Sequence, residues 1–126
     1  DIRGVIYNIY KEYRNYHKEK VYHNSFYNDL IQLGYKVEKN KKVFIYHNGK
    51  QVGIYTPDLI VNDIIIIEFK CKPNLTIEDR KQFWHYLKAT EYKLGFLVNF
   101  GNSNGVEIER KVFDEDRSKV SASVPR

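Results

Sequence analysis

Residues Thr56 to Lys72 read T-P-D-L-I-V-N-D-I-I-I-I-E-F-K-C-K, and this stretch decides the fold. Asp58 follows a proline, Asn62-Asp63 marks a turn, and an isoleucine run from Ile64 to Ile67 leads into Glu68-Phe69-Lys70. An apolar run bounded by turn residues predicts a strand buried on both faces. Burial explains the isoleucines but not the two charges at the end of the same strand, where an isolated charge would cost several kcal/mol. Side chains alternate along a strand, so Glu68 and Lys70 share a face, with Phe69 on the other. A hairpin through Asn62-Asp63 brings Asp58 beside them. Two carboxylates and an ammonium in one place suit a divalent metal and an activated water. Against this stands the plain reading of E-x-K as a solvated ion pair near a sheet edge, worth about 0–1 kcal/mol. The preceding P-D, and a strand too apolar for an edge, favour a site.

Working outward, Val43 to Tyr46, Asn48-Gly49 and Gln51 to Tyr55 predict a β-hairpin, since Asn-Gly is a strong hairpin signal. The chain continues through Pro57 to Val61 into the Asn62-Asp63 turn, with Pro57 as a bulge or edge break that aims Asp58. Upstream, apolar and aromatic residues at helical spacing predict a helix from Ile2 to about Tyr16 and a second from about Glu19 to Leu33, ended by Gly34. Downstream, Thr76 caps a helix to about Ala89, with Glu78 and Asp79 in its first turn. Lys93 to Phe100 and Val106 to Val112 read as strands, with a loop from Gly101 to Gly105. The order is α-α-β-β-β-α-β-β, a mixed α/β sheet with helices packed on it.

A chain of 126 residues is one domain by size. The expected domain is 1–113, with 114–126 a polar, frayed tail. The sequence begins at Asp1 without Met, which leaves its true N-terminus open. No apolar run approaches the ~20 residues that span a membrane, and no signal peptide is visible. The one cysteine, Cys71, excludes an internal disulfide and fits a reducing, cytoplasmic setting; filling a strand end suits it better than acting as a nucleophile. A net charge of +5 leans toward polyanionic partners. Histidines 17, 23, 47 and 85 lack zinc-ligand spacing, and no Gly-rich phosphate loop is present.

With these elements in place, the chain resembles the PD-(D/E)XK nuclease superfamily, whose restriction-endonuclease-like core is αβββαβ. An extra N-terminal helix and a C-terminal strand would flank that core here. Within the superfamily it looks like the GxxExxY group. The segments that carry the likeness are Glu19 to Tyr22, Val52 to Asp58, Ile66 to Lys70, Gln82 through Thr90, and Gly95 to Gly101. One position departs: the glycine that names the group falls at Tyr16, and tyrosine would be strained there if φ were positive.

The resemblance implies that Asp58 and Glu68 hold Mg²⁺, with Mn²⁺ as substitute. It implies that Lys70 stands beside the attacking water and that Glu19 completes the metal site from its helix. Outside the resemblance, Glu19 reads as a solvated charge at a helix start. Gln82 and Tyr86 are spaced i, i+4, an arrangement that resembles a supporting motif of the RecB-like branch; the other reading is a polar pair at a helix margin. Tyr22 and Tyr86 are the expected supporting residues. Trp84 and His85 could stack on bases, though Trp84 fits core packing better. The leading expectation is a metal-dependent nuclease acting on nucleic acid, DNA first. The alternatives are a non-catalytic nucleic-acid-binding module with the same fold and a partner-binding protein whose charges form a buried network. Oligomeric state, strandedness and sequence preference are not encoded in any visible motif.

Overall fold

The computed structural model describes residues 2–113. The expected tail, 114–126, lies outside the described residues. The elements run α1 (Ile2–Tyr13), α2 (Glu19–Gln32), β1 (Val37–Lys39), β2 (Val43–His47), β3 (Lys50–Tyr55), β4 (Leu59–Val61), β5 (Ile65–Lys70), α3 (Ile77–Ala89), β6 (Leu94–Asn99) and β7 (Glu107–Val112). One sheet has the order β1-β4-β5-β6-β7, and β2 and β3 form a separate two-stranded sheet. Only β5 and β6 run parallel, joined by the α3 crossover; the other neighbours are antiparallel. No helix among the described residues is long and apolar enough to cross a membrane.

Three layers result. On one face of the sheet, Ile2, Ile6 and Ile9 of α1 and Tyr22, Phe26 and Leu30 of α2 pack on Leu59, Val61, Ile67, Phe69, Val98 and Phe100. On the other, Phe83 and Leu87 of α3 and Tyr55 of β3 pack on Ile60, Ile66 and Leu97. The αβββαβ core is therefore α2, β1, β4, β5, α3 and β6, with α1 and β7 as the expected additions.

The strand count exceeds the sequence expectation in two places. β1 was not expected: only three residues long, it is held by pairing Val37 with Val61 and Lys39 with Leu59. The segment from Gln51 to Val61 divides, because the backbone leaves β3 at Thr56-Pro57 and joins a different sheet at Leu59. The hairpin is thus an insertion between the first and second core strands, and not part of the main sheet. Both turns form as expected: Asn48 and Gly49, and Asn62 and Asp63, all take positive φ, a conformation that Asn, Asp and Gly tolerate best.

α1 ends at Tyr13, short of Tyr16, because Arg14 takes φ +53 and closes the helix with a bond from its N–H to Tyr10 O. Tyr16 is not among the positive-φ residues, so the tyrosine in place of the group's glycine is not strained. α3 starts as expected: the Thr76 side chain accepts from Asp79 N, and Asp79 accepts from Thr76 N.

Candidate active site

The site lies where β4 and β5 part. Their ladder ends at the pair Leu59–Ile67. Beyond it, side chains take over the bonds that a longer ladder would have made. The Asp58 N–H donates to Glu68 Oε1 at 3.0 Å, and the Phe69 N–H donates to Asp58 Oδ2 at 2.8 Å. The Asp58 carbonyl accepts from Asn40 N, which keeps its backbone tied toward β1. Each carboxylate thus spends one oxygen on a backbone donor of the opposing segment. Asp58 Oδ1 and Glu68 Oε2 accept no hydrogen bond from the described residues.

Alternation puts Glu68 and Lys70 on the α3 side of β5, while Ile67 and Phe69 enter the core under α2. Glu68, Lys70, Gln82 and Tyr86 line one cleft of about 20 Å³ with Tyr55 and Asp79, room for about one water molecule. Lys70 forms no direct ion pair among the described residues, whereas Lys72 is engaged with Asp79 at 2.7 Å. Tyr86 stacks flat on Tyr55, with ring centroids 4.1 Å apart.

Burial and the neighbouring Asp58 charge push the Glu68 carboxyl up to about 7, against the pull of the Asp58 N–H, Tyr55 and Lys70. The buried Tyr55 hydroxyl lies close enough to Glu68 to be raised by it, yet makes no hydrogen bond of good geometry. Tyr55 is thus a neighbour of Glu68 and not a committed donor. Glu19 opens α2 from an exposed position; partial burial and Asp58 raise its carboxyl, and Lys70 lowers it. One turn further, His23 keeps a buried Nε2 with no partner; burial lowers its pKa, and the Asp58 charge works against that.

The structure therefore brings Asp58, Glu68, Lys70 and Gln82 together, with Tyr86 behind them and Glu19 within electrostatic reach. Tyr22 lies elsewhere. It is fully buried, stacks on Phe100, and its hydroxyl donates to Arg14 O at 2.6 Å and accepts from His17 N. It fixes the link between α1 and α2, and so the start of the helix that carries Glu19. The expected three-carboxylate cluster is not closed: no three His, Cys, Asp or Glu groups among the described residues stand close enough to hold an ion by themselves. Glu19 stays apart from the pair, and repulsion from Asp58 disfavours its approach.

Reading the sequence missed Tyr55 and His23. Tyr55 reaches Glu68 only because two separate sheets meet, which no spacing announces. His23 had a signal, its i, i+4 relation to Glu19, but no zinc spacing. Behind the site, Asn99 is buried and fully bonded: its Oδ1 accepts from Lys72 N and Gly101 N, and its Nδ2 donates to Lys72 O and Glu107. It pins the chain leaving Lys70.

A sequence model of the PD-(D/E)XK nuclease superfamily matches residues 1–111. The chain belongs to the PD-(D/E)XK nuclease superfamily. Pro57-Asp58 and Glu68-Phe69-Lys70 are the residues that answer to the superfamily's name. Its members generally depend on a divalent metal. No curated protein matches the chain. Among solved structures, an alkaline exonuclease (LHK-Exo) from Laribacter hongkongensis is similar at 20% identity and a TM-score of 0.47, over 76% of this chain and 59% of that one. The chain thus spans little more than half of that exonuclease. The protein SSO0001 is similar at 18% identity and a TM-score of 0.43, over 97% of this chain and 71% of that one.

The residues fit a hard divalent cation. Two adjacent carboxylates each keep an oxygen free, and burial, with the Asp58 charge added, disfavours a bare Glu68 carboxylate that a cation would offset. Mg²⁺ is commonly held by one or two carboxylates plus waters and substrate phosphate, so an all-protein cage is not required.

Proposed function

We propose that this chain is a metal-dependent nuclease of the GxxExxY group that hydrolyses phosphodiester bonds in nucleic acid, DNA first. The observation that carries the reading is the reciprocal bonding of Asp58 and Glu68 at the split between β4 and β5, with Lys70 on the Glu68 face.

Asp58 and Glu68 would hold Mg²⁺ or Mn²⁺, with Glu19 completing the acidic rim from α2. A bound ion would polarise the phosphoryl oxygen and lower the pKa of a water. The chain's own residues do the positioning. The backbone N–H groups of Asp58 and Phe69 fix the two carboxylates before substrate arrives, so little reorganisation is needed. Lys70 orients the attacking water and offsets charge on the phosphoryl oxygens. Gln82 supplies an amide to the same cleft, and Tyr86, stacked on Tyr55, holds the wall. Water adds to phosphorus and gives up a proton to solvent, the bond to the leaving sugar oxygen breaks, and that oxygen takes up a proton from solvent.

The deciding experiment is a cleavage assay in Mg²⁺ and Mn²⁺ on single- and double-stranded DNA and RNA, with Asp58→Ala as control. Metal-dependent cleavage lost in Asp58→Ala is the expected result. Binding without cleavage would instead identify a non-catalytic nucleic-acid module.

A further inference from the structure

The β2–β3 hairpin is apolar on the wrong side. Its inner face is used: Val43, Ile45 and Tyr55 pack toward α3. Its outer face is not. Phe44 and Ile54 face each other across the strands at 44% and 47% exposure, and Tyr46 and Val52 are each 62% exposed. The ladder shifts register between Ile45 and Tyr46, so Val52 is the extra residue of a bulge. Four large apolar side chains gathered on one free sheet face mark an interaction surface more than a packing accident.

Its surroundings are basic and concave. Phe44 and Tyr46 line a groove of about 390 Å³ together with Lys41, Lys42, Val43 and the segment from Ala89 to Tyr92 at and beyond the end of α3. Glu91 lines the groove as well, and Lys41 is shared with Glu38 at 3.4 Å. Lys42 and Lys50 form no ion pair among the described residues. The groove and the carboxylate cleft are separate but are joined by shared elements. Val43, which lines the groove, pairs with Tyr55, which reaches Glu68. α3 carries Gln82 and Tyr86 at the site and Ala89 at the groove, and seven helical residues span about 10 Å.

Residues i and i+2 on a strand place Phe44 and Tyr46 about 7 Å apart on one face, twice the ~3.4 Å rise of a nucleic-acid strand. We propose that this hairpin face is a stacking platform for an unpaired nucleic-acid strand, which Phe44 and Tyr46 hold by its bases and Lys42 and Lys50 by its phosphates, leading it to the Asp58–Glu68 cleft. Charge complementarity selects the occupant: lysines around an aromatic patch suit a polyanion with flat bases. The proposal rests on the nuclease reading for the site that the strand reaches, but strand binding can be measured without cleavage.

The test is fluorescence anisotropy of a labelled oligothymidylate of about 16 nucleotides, the upper end of single-strand site sizes, in EDTA. The full chain is compared with Phe44→Ser/Tyr46→Ser and Lys42→Gln/Lys50→Gln. The aromatic variant should bind at least roughly tenfold more weakly. The lysine variant should lower the slope of log affinity against log salt by about 1.4, near 0.7 per lost single-strand phosphate contact. Unchanged binding by the aromatic variant overturns the platform, and does so without touching the nuclease reading if Mg²⁺-dependent cleavage persists. Binding that depends on the aromatic pair, with no cleavage by any form in Mg²⁺ or Mn²⁺, overturns the nuclease reading and leaves the platform. A dimer by light scattering that the aromatic variant dissociates, with strand binding unchanged, shows that a second copy occupies this face and overturns the proposal.

Discussion

Asp58 and Glu68 hold each other's segments: the Asp58 N–H bonds Glu68 Oε1 at 3.0 Å, and the Asp58 carboxylate bonds the N–H of Phe69, the residue after Glu68. The arrangement joins two carboxylates that repel each other, and it does so by diverting backbone donors from a sheet ladder. Such an arrangement is stable when something else gains from it, and a shared cation is the gain proposed here.

Removing either carboxylate should therefore separate fold from chemistry. Asp58→Ala and Glu68→Ala are expected to lose at least about a thousandfold in Mg²⁺-dependent cleavage, since both the Lewis acid and its water depend on the ion. Glu68→Ala should still fold, because it relieves repulsion. Lys70→Ala should keep metal affinity and lose about a hundredfold in rate, the scale of one preorganised electrostatic group. Calorimetric Mg²⁺ titration beside single-turnover cleavage checks all three. Wild-type cleavage by Lys70→Ala would remove the lysine from the mechanism.

Tyr22→Phe should behave as a structural change. The hydroxyl joins Arg14 O to His17 N across the α1–α2 link, and its loss should cost about 1–2 kcal/mol. The expected outcome is a lower urea midpoint with cleavage within about twofold of the unaltered chain at saturating Mg²⁺. A rate loss above about tenfold with stability unchanged would instead give Tyr22 a part in the site.

The readable parts of the sequence are those where local chemistry and tertiary packing agree. The isoleucine strand, the Asn48-Gly49 and Asn62-Asp63 turns and the Thr76 cap each follow from residues within a few positions of one another. Asp58, Glu68 and Lys70 stood out because charge beside a buried strand demands a reason. What could not be read depends on distant partners. β1 contains Glu38 and Lys39, carries no apolar run, and exists only because β4 offers an edge. The hairpin alternates equally well in a separate sheet or in the main one. Arg14, which ends α1, is not a residue that announces positive φ.

Gly101→Ala should test the scaffold behind the site. A Cβ at this position would run into the backbone of Lys72, the segment that Asn99 pins through both Lys72 N and Lys72 O. Backbone cannot swing aside as a flexible side chain can, so the cost should be about 2 kcal/mol or more. Chemical denaturation measures it. A variant as stable as the unaltered chain would show that the turn after β6 is looser than described.

The Glu68 carboxyl has an ordinary value of 4.5 and is pushed up to about 7 by burial and by Asp58. Between about pH 4.5 and 7 the folded chain holds a proton that the unfolded chain has already released. Stability therefore falls as pH rises through that window. Below it both states are protonated and the full contribution is present; above it both are ionised and the contribution is gone. Glu19, also raised, acts in the same direction. Asp79 is held down to about 2 by Lys72 and Thr76 against burial, so its opposite contribution is lost only in stronger acid. At ~1.4 kcal/mol per pH unit, reduced because Glu68 keeps some solvent contact, its share is about 2 kcal/mol. Thermal melts in EDTA from pH 4.5 to 8 should show this decline, and Glu68→Gln should flatten it and melt higher than the unaltered chain at pH 8. Mg²⁺ should restore stability to the unaltered chain, most strongly above pH 7, where the carboxylate is free of its proton. A Glu68→Gln variant with the same slope would mean that Glu68 is not the group that titrates.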